Sequence, residues 1–251
     1  MAYLLHLRAL AFVVALFVVP CAVATPTRAQ PVDVRLVLAV DSSSSVSIEE
    51  FYLQLEGYAA ALSHPKLLAA IRSGPNRAIA VTLFEWSGEL EQRVNYPWRR
   101  LDDAASLERF ARQLALAPRL VVGGETAIGA AIEFALGQLD NSDFTDGRAV
   151  IDISGDGASN RGVAVETARD RAVAAGITIN GLAILDEDPD LDEYYRRAVV
   201  GGRGAFVLSA RDYADFAEAI LSKLVREISN IADTGPPPSD EHDHRISIIK
   251  N

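Results

Sequence analysis

The chain has 251 residues, of which 49% are hydrophobic and 23% charged, which is the make-up of one large globular domain with tails and excludes a disordered chain. A formal net charge of −10 excludes the basic footprint of a nucleic-acid binder, because phosphate backbones would be repelled. The same charge suits solubility and raises the local concentration of cations.

Residues 1–24 read as a signal peptide. Arg8 precedes an apolar run from Ala9 to Val19, Pro20 ends the run, and Ala22 and Ala24 are the small residues that signal peptidase needs. Cleavage after Ala29 is the second choice. An uncleaved anchor is the alternative, but the run is short against the roughly 20 residues of a spanning helix. Pro20 fits poorly with a lipidated Cys21. Cleavage removes Cys21, the only cysteine, and with it any disulfide, thiolate zinc site or cysteine nucleophile. The mature charge is then 23 minus 34, or −11, since Arg8 is lost and no acid is. The expectation is an exported protein, periplasmic or secreted, with no stable membrane insertion after cleavage.

Downstream, strand-like and helix-like segments alternate. Val34 to Val40 is a nearly continuous apolar run, as in a strand buried on both faces. Ser47 and Glu50 open a helix carrying Phe51, Leu55, Tyr58 and Leu62 at helical spacing. Ala78 to Trp86 is a second strand, Ser87-Gly88 a turn, and Glu89 to Tyr96 a third strand; the short link makes the pair a hairpin and the third strand an antiparallel edge. Helices are expected over Asp102 to Leu116, Thr126 to about Leu139, and Val163 to Ala175, closed by Gly176. Arg148 to Ile153 and Ile177 to Leu185 are the fourth and fifth strands. A short helix over Leu191 to Val199, a short strand from Ala205 to Leu208 and a final helix from Asp212 to Ile231 follow. Residues 232–251 form a proline-rich, polar tail. Strands separated by helices imply an α/β fold: a doubly wound, mostly parallel sheet with helices on both faces, occupying residues 32–231.

Three loops at strand ends or helix starts carry the chemistry. The first is Asp41-x-Ser43-x-Ser45, directly after the first strand. The second is Gly123-Gly-Glu-Thr126, at the start of a helix, and the third is Ser154-Gly-Asp156-Gly157, directly after the fourth strand. In an open α/β sheet, ligands bind outside the carboxyl ends of the strands where the strand order reverses. Two carboxylates, three hydroxyls and water are hard oxygen ligands. They suit Mg²⁺, and Mn²⁺ or Ca²⁺ less selectively. With few carboxylates bound, such an ion keeps affinity for an outside carboxylate. Asp41 at the end of a buried strand also has no evident structural excuse, since an unpaired buried carboxylate is costly.

Together these residues resemble the metal-ion-dependent adhesion site of von Willebrand factor type A (vWA) domains, in order and in spacing. The resemblance runs from about residue 32 to 231, and within that superfamily it is similar to a bacterial group of exported, stand-alone A domains of unassigned function. It implies six strands in the order 3-2-1-4-5-6 with the third antiparallel. It implies direct metal ligation by Ser43 and Ser45, by Thr126 when ligand is engaged, and by Asp41 and Asp156 directly or through water. A partner protein presenting an Asp or Glu carboxylate would complete the coordination, and the last helix would be the element that moves.

Glu85 and Trp86, at the end of the second strand, are candidates for the ligand rim; a local hydrogen bond and hairpin packing are the alternatives. Glu125 either caps the following helix or sits on the rim. Ser42 and Ser44 are loop residues that bond the backbone. His242 and His244 form an H-x-H pair in the tail, and Asp186, Glu187, Asp188, Asp190, Asp192 and Glu193 form an acidic run after the fifth strand; a solvated tail and a solvated loop are the favoured readings. The leading function is a divalent-metal-dependent protein-binding module for adhesion or assembly. A structural domain with a loop-stiffening metal is the second reading. A metal-dependent phosphohydrolase is the third, disfavoured because no lysine in these loops could stabilise a transferring phosphoryl group. There is no phosphate-binding GxxxxGK loop and no GxSxG nucleophile elbow.

Overall fold

The computed structural model describes residues 30–229, so the expected signal segment and the polar tail with His242 and His244 lie outside the described residues. In chain order the elements are β1 (Gln30–Pro31), β2 (Val34–Asp41), α1 (Ile48–Ser63), α2 (Pro65–Ser73), β3 (Ile79–Trp86), β4 (Gln92–Leu101), α3 (Ala104–Leu114), α4 (Ile128–Asp140), β5 (Phe144–Thr145), β6 (Arg148–Gly155), α5 (Val165–Ala174), β7 (Thr178–Ile184), α6 (Leu191–Tyr194) running into a π-helical turn (Tyr195–Val199), β8 (Val207–Ala210) and α7 (Phe216–Ser229).

The six long strands form one sheet in the order β4-β3-β2-β6-β7-β8. All neighbours are parallel except β3 and β4. Counted over the six strands expected, this is 3-2-1-4-5-6 with the third antiparallel. The sequence of β2 explains its central place: with β3 on one side and β6 on the other it is covered on both faces, so seven of its eight residues are buried. Its even-numbered side chains, Val34 to Val40, join the cluster under α1, α2, α3 and α7. Val37 and Ala39 point the other way, into the cluster under α4, α5 and α6.

Two features were not expected. α2 follows α1 after one residue: His64 accepts a hydrogen bond from the Lys66 amide through Nδ1 at 3.2 Å, and Pro65 starts the new helix. β1 and β5 form a small parallel pair separate from the main sheet. The capping box at α1 is as expected, with Ser47 Oγ accepting from the Glu50 amide at 3.2 Å and Glu50 Oε2 from the Ser47 amide at 2.7 Å. It fixes where α1 begins, and so where the Asp41–Ser45 loop must end.

Because β2, β3, β6, β7 and β8 are parallel, their carboxyl ends share one edge of the sheet. The loops 42–47, 87–91, 115–127, 156–164, 185–190 and 211–215 therefore crowd together there. Among the described residues no helix is long and apolar enough to cross a membrane.

Candidate metal centre

β2 and β6 lie side by side, with Val40 opposite Ser154. That register brings the Asp41 loop against the Asp156 loop, although 111 residues separate Ser45 from Asp156. One continuous chain of hydrogen bonds results. The Ser43 amide donates to Asp41 Oδ1 at 2.8 Å. The Ser43 and Ser45 hydroxyls lie 3.1 Å apart, and Ser45 Oγ donates to Asp156 Oδ1 at 2.7 Å. Since Ser45 spends its hydrogen on Asp156, Ser43 supplies the hydrogen between the two serines. Thr126 stands beside this chain without joining it. Its amide donates to Asn160 Oδ1 at 2.9 Å, and its hydroxyl lies 3.9 Å from the point where a Cβ on Gly157 would stand.

Burial makes the pair of carboxylates electrostatically expensive. Asp41 is 0% and Asp156 2% exposed. Asp41 Oδ2 is buried with no hydrogen-bond partner. Burial pushes the Asp41 carboxyl up to about 7; the neighbouring Asp156 charge adds to the rise, and the bonds from Ser43 oppose it. A cation between the two loops would relieve both penalties, and the oxygens present (two carboxylates, three hydroxyls) suit a hard divalent ion. Gly155 is required here by crowding, because a Cβ would lie 2.7 Å from Asp41 Oδ2.

The expected rim residues fare differently. Glu85 and Trp86 are both 0% exposed and do not reach the surface. Glu85 Oε2 accepts from the amides of Leu120 and Val121, each at 2.8 Å, and Oε1 accepts from the Asn95 side chain. It is a staple for the 115–127 loop, and burial raises its pKa against these donors. Trp86 packs in the core under α4. Glu125 does not cap α4, whose first amide, Ile128, donates to Ser159 Oγ at 3.2 Å. It pairs with Arg161 at 2.7 Å, its side chain 41% exposed. Ser42 and Ser44 bond loop carbonyls, donating to Val121 at 2.8 Å and Gly124 at 3.0 Å. Among the described residues no group of three or more His, Cys, Asp or Glu side chains is placed to hold a metal, the 186–193 acidic run included.

Three contributors were missed in the sequence. Arg119 donates to the carbonyls of Ser42 (2.8 Å), Ser43 (3.1 Å) and Val46 (2.9 Å), and to Ser42 Oγ (2.8 Å). It also stacks 5.5 Å from the centre of the Phe51 ring. Tyr213 donates to Asp156 Oδ2 at 2.9 Å. The fully buried Tyr195 hydroxyl lies 2.8 Å from the Gly155 Cβ position. No spacing signal marks any of them; each acts across more than 35 residues.

Solved structures carry the same fold. Proximal thread matrix protein 1 from the mussel byssus superposes with a TM-score of 0.55 at 14% identity, over 81% of this chain and 49% of that one. The same mussel protein with a zinc-occupied MIDAS motif gives 0.53 at 15% identity, over 81% and 49%. This chain thus spans about half the length of the mussel protein. The vWF domain of the type V pili tip protein Mfa5 from Porphyromonas gingivalis gives 0.53 at 12% identity, over 82% and 98%. No curated protein matches the sequence. The family described as "Protein of unknown function (DUF1194)" matches residues 31–232, and with that match covering most of its length, the chain belongs to this family and has a vWA-type fold.

Proposed function

We propose that this is an exported, metal-dependent protein-binding module. Asp41, Ser43, Ser45, Thr126 and Asp156 would hold one divalent cation, Mg²⁺ before Mn²⁺ or Ca²⁺. The observation that carries this reading is the buried, unpartnered Asp41 Oδ2 at the head of a hydrogen-bonded chain linking Asp41, Ser43, Ser45 and Asp156. A buried carboxylate oxygen without a donor is destabilising unless something charged or polar meets it. When bound, the ion supplies a Lewis-acidic position for an Asp or Glu carboxylate of a partner protein. The chain's own residues orient the donors. Ser45 holds Asp156, the Ser43 amide holds Asp41, and Arg119 and Glu85 fix the two flanking loops.

Two further features favour a protein partner over a small substrate. Leu90, Leu116 and Val122 are 87%, 84% and 84% exposed on the 87–91 and 115–127 loops at the carboxyl edge of the sheet, apolar side chains that a protein partner could cover. No histidine and no lysine stands in the three loops to act as acid, base or phosphoryl clamp. The acidic surface gives no long-range attraction to an acidic partner, so rim contacts must supply the remaining affinity. The likeness to byssus and pilus-tip proteins is in keeping with an extracellular or periplasmic binding role.

Calorimetric titration of Mg²⁺ and Mn²⁺ into residues 25–251 tests the site, beside Asp41→Ala and Asp156→Ala. One ion per wild-type chain is expected, with binding lost in both folded variants. Retention of full affinity in either variant would place the ion elsewhere.

A further inference from the structure

A tyrosine hydroxyl bonds the Asp156 carboxylate and a second stands near Asp41, and the two tyrosines come from opposite layers of the fold. Tyr213 lies in the turn before α7, is 5% exposed and donates to Asp156 Oδ2 at 2.9 Å. Ser45 already occupies Asp156 Oδ1 at 2.7 Å, so both oxygens of this carboxylate accept a hydrogen bond and its rotation is fixed. Tyr195 comes from the other face, at the start of the π-helical turn after α6. It is fully buried, and its hydroxyl has no hydrogen-bond partner among the described residues. That hydroxyl and the equally unpartnered Asp41 Oδ2 converge on Gly155, where a Cβ would lie 2.8 Å from the one and 2.7 Å from the other. A phenylalanine would fill the same space without burying an unsatisfied hydroxyl, which is destabilising. Packing alone therefore does not account for Tyr195. π-helical turns also recur at functional sites.

We infer, resting on the metal-binding reading above, that Tyr213 and Tyr195 are positioning residues of the metal centre, and that Tyr213 sets its preference for a small cation. Tyr213 occupies Asp156 Oδ2, so Asp156 is not free to offer both oxygens to a cation. Ca²⁺ accepts bidentate carboxylates in irregular geometry, whereas Mg²⁺ demands a regular octahedron and takes few carboxylates. Releasing Oδ2 therefore favours the larger ion. Tyr195 brings its hydroxyl from the other layer to the same glycine that Asp41 Oδ2 faces, and so limits where that oxygen can turn.

Mg²⁺ and Ca²⁺ affinities, with metal-free melting temperatures, are to be measured for the wild type, Tyr213→Phe and Tyr195→Phe. Tyr96→Phe is the control; its hydroxyl donates to the Gln113 carbonyl at 2.6 Å, outside the metal centre. Outer-shell substitutions typically weaken metal binding by about 10–100-fold. We expect Mg²⁺ affinity to fall about tenfold in both site variants, and the Mg²⁺-to-Ca²⁺ affinity ratio to fall about tenfold in Tyr213→Phe. The metal-free melting temperature of Tyr195→Phe should not fall, since the variant loses an unsatisfied hydroxyl, and the Tyr96→Phe affinities should hold. Unchanged Mg²⁺ affinity, or an equal loss for both ions that tracks a lowered metal-free melting temperature, would reduce the tyrosines to packing residues and overturn the inference. A wild type that binds neither ion would overturn the metal-binding reading itself; wild-type binding with unaltered variants overturns only the tyrosine assignment.

Discussion

Arg119 is the residue on which the shape of the Asp41–Ser45 loop rests. Three carbonyls of a tight loop point the same way, and only a planar, many-donor cation can serve them at once. The carbonyls of Ser42, Ser43 and Val46 all accept from its terminal nitrogens, while its Nε reaches Ser42 Oγ and the Val121 carbonyl at 3.0 Å. Lysine keeps the charge and loses the fork. Arg119→Lys is therefore expected to fold and yet to weaken metal binding by about tenfold, read by the same calorimetry. Affinity equal to wild type would show that the loop holds its own shape. The contrast with Asp41, Ser43, Ser45 and Asp156 explains what the sequence could and could not reveal. Those four carry oxygen-ligand chemistry at strand ends, where the parallel order of the sheet forces loops together, so their convergence follows from pattern and topology. The part played by Arg119 depends on a partner loop 77 residues away and on carbonyls that every residue owns. The same holds for Glu85, whose carboxylate serves backbone amides 35 and 36 residues on.

At the scale of elements, the strongly periodic segments were legible, and so were the short helix from Leu191 and the short strand β8, whereas α2, β1 and β5 were not. Every long strand and every helix of ten or more residues has its counterpart in the sequence reading, with ends displaced by a few residues; β4, a polar edge strand, was read from the short hairpin link instead of from an apolar run. α2 escaped because nine residues carry little more than two turns of pattern, and β1 and β5 because two residues carry none. The seat of α7 on α1 was equally hidden. α1 includes Gly57, a poor helix former, at a position where a Cβ would lie 2.6 Å from Phe216 Cδ1. The missing side chain lets the two helices approach, and Phe216 stacks edge-on against Tyr58 at 5.5 Å. Gly57→Ala gains helix propensity but must displace a fully buried ring, and overpacking typically destabilises by about 1–3 kcal/mol. A lowered melting temperature is the expected result. A raised one would mean that Phe216 swings aside and that propensity wins.

Across the whole molecule, the apolar core under α1 and α7 is interrupted by a charged group that nothing in the helical periodicity announces. Lys223 of α7 reaches Asp152 of β6 at 2.5 Å and Glu227 at 2.7 Å, and all three side chains are buried. Asn180 of β7 donates to Glu227 at 2.9 Å, and Arg148 of β6 donates to the Glu227 carbonyl. The Tyr58 hydroxyl also feels the Asp152 charge. Two acids thus share one buried ammonium. Burial pushes the Asp152 carboxyl up to about 7, against the pull of Lys223 and with a further push from Glu227. A carboxyl with a raised pKa binds its proton more tightly folded than unfolded. Its contribution to stability is therefore fully present below about pH 4 and is lost as pH rises through about 7. Asp41 slopes the same way, so the informative quantity is the difference between the wild type and Asp152→Asn, in which Lys223 keeps Glu227 as partner. Denaturant melts from pH 5 to 8 should show the wild type losing stability on the order of a few kcal/mol more than the variant. Parallel slopes would mean that Lys223 keeps Asp152 ionised throughout this range, and that the cluster fastens α7 to the sheet without reporting pH.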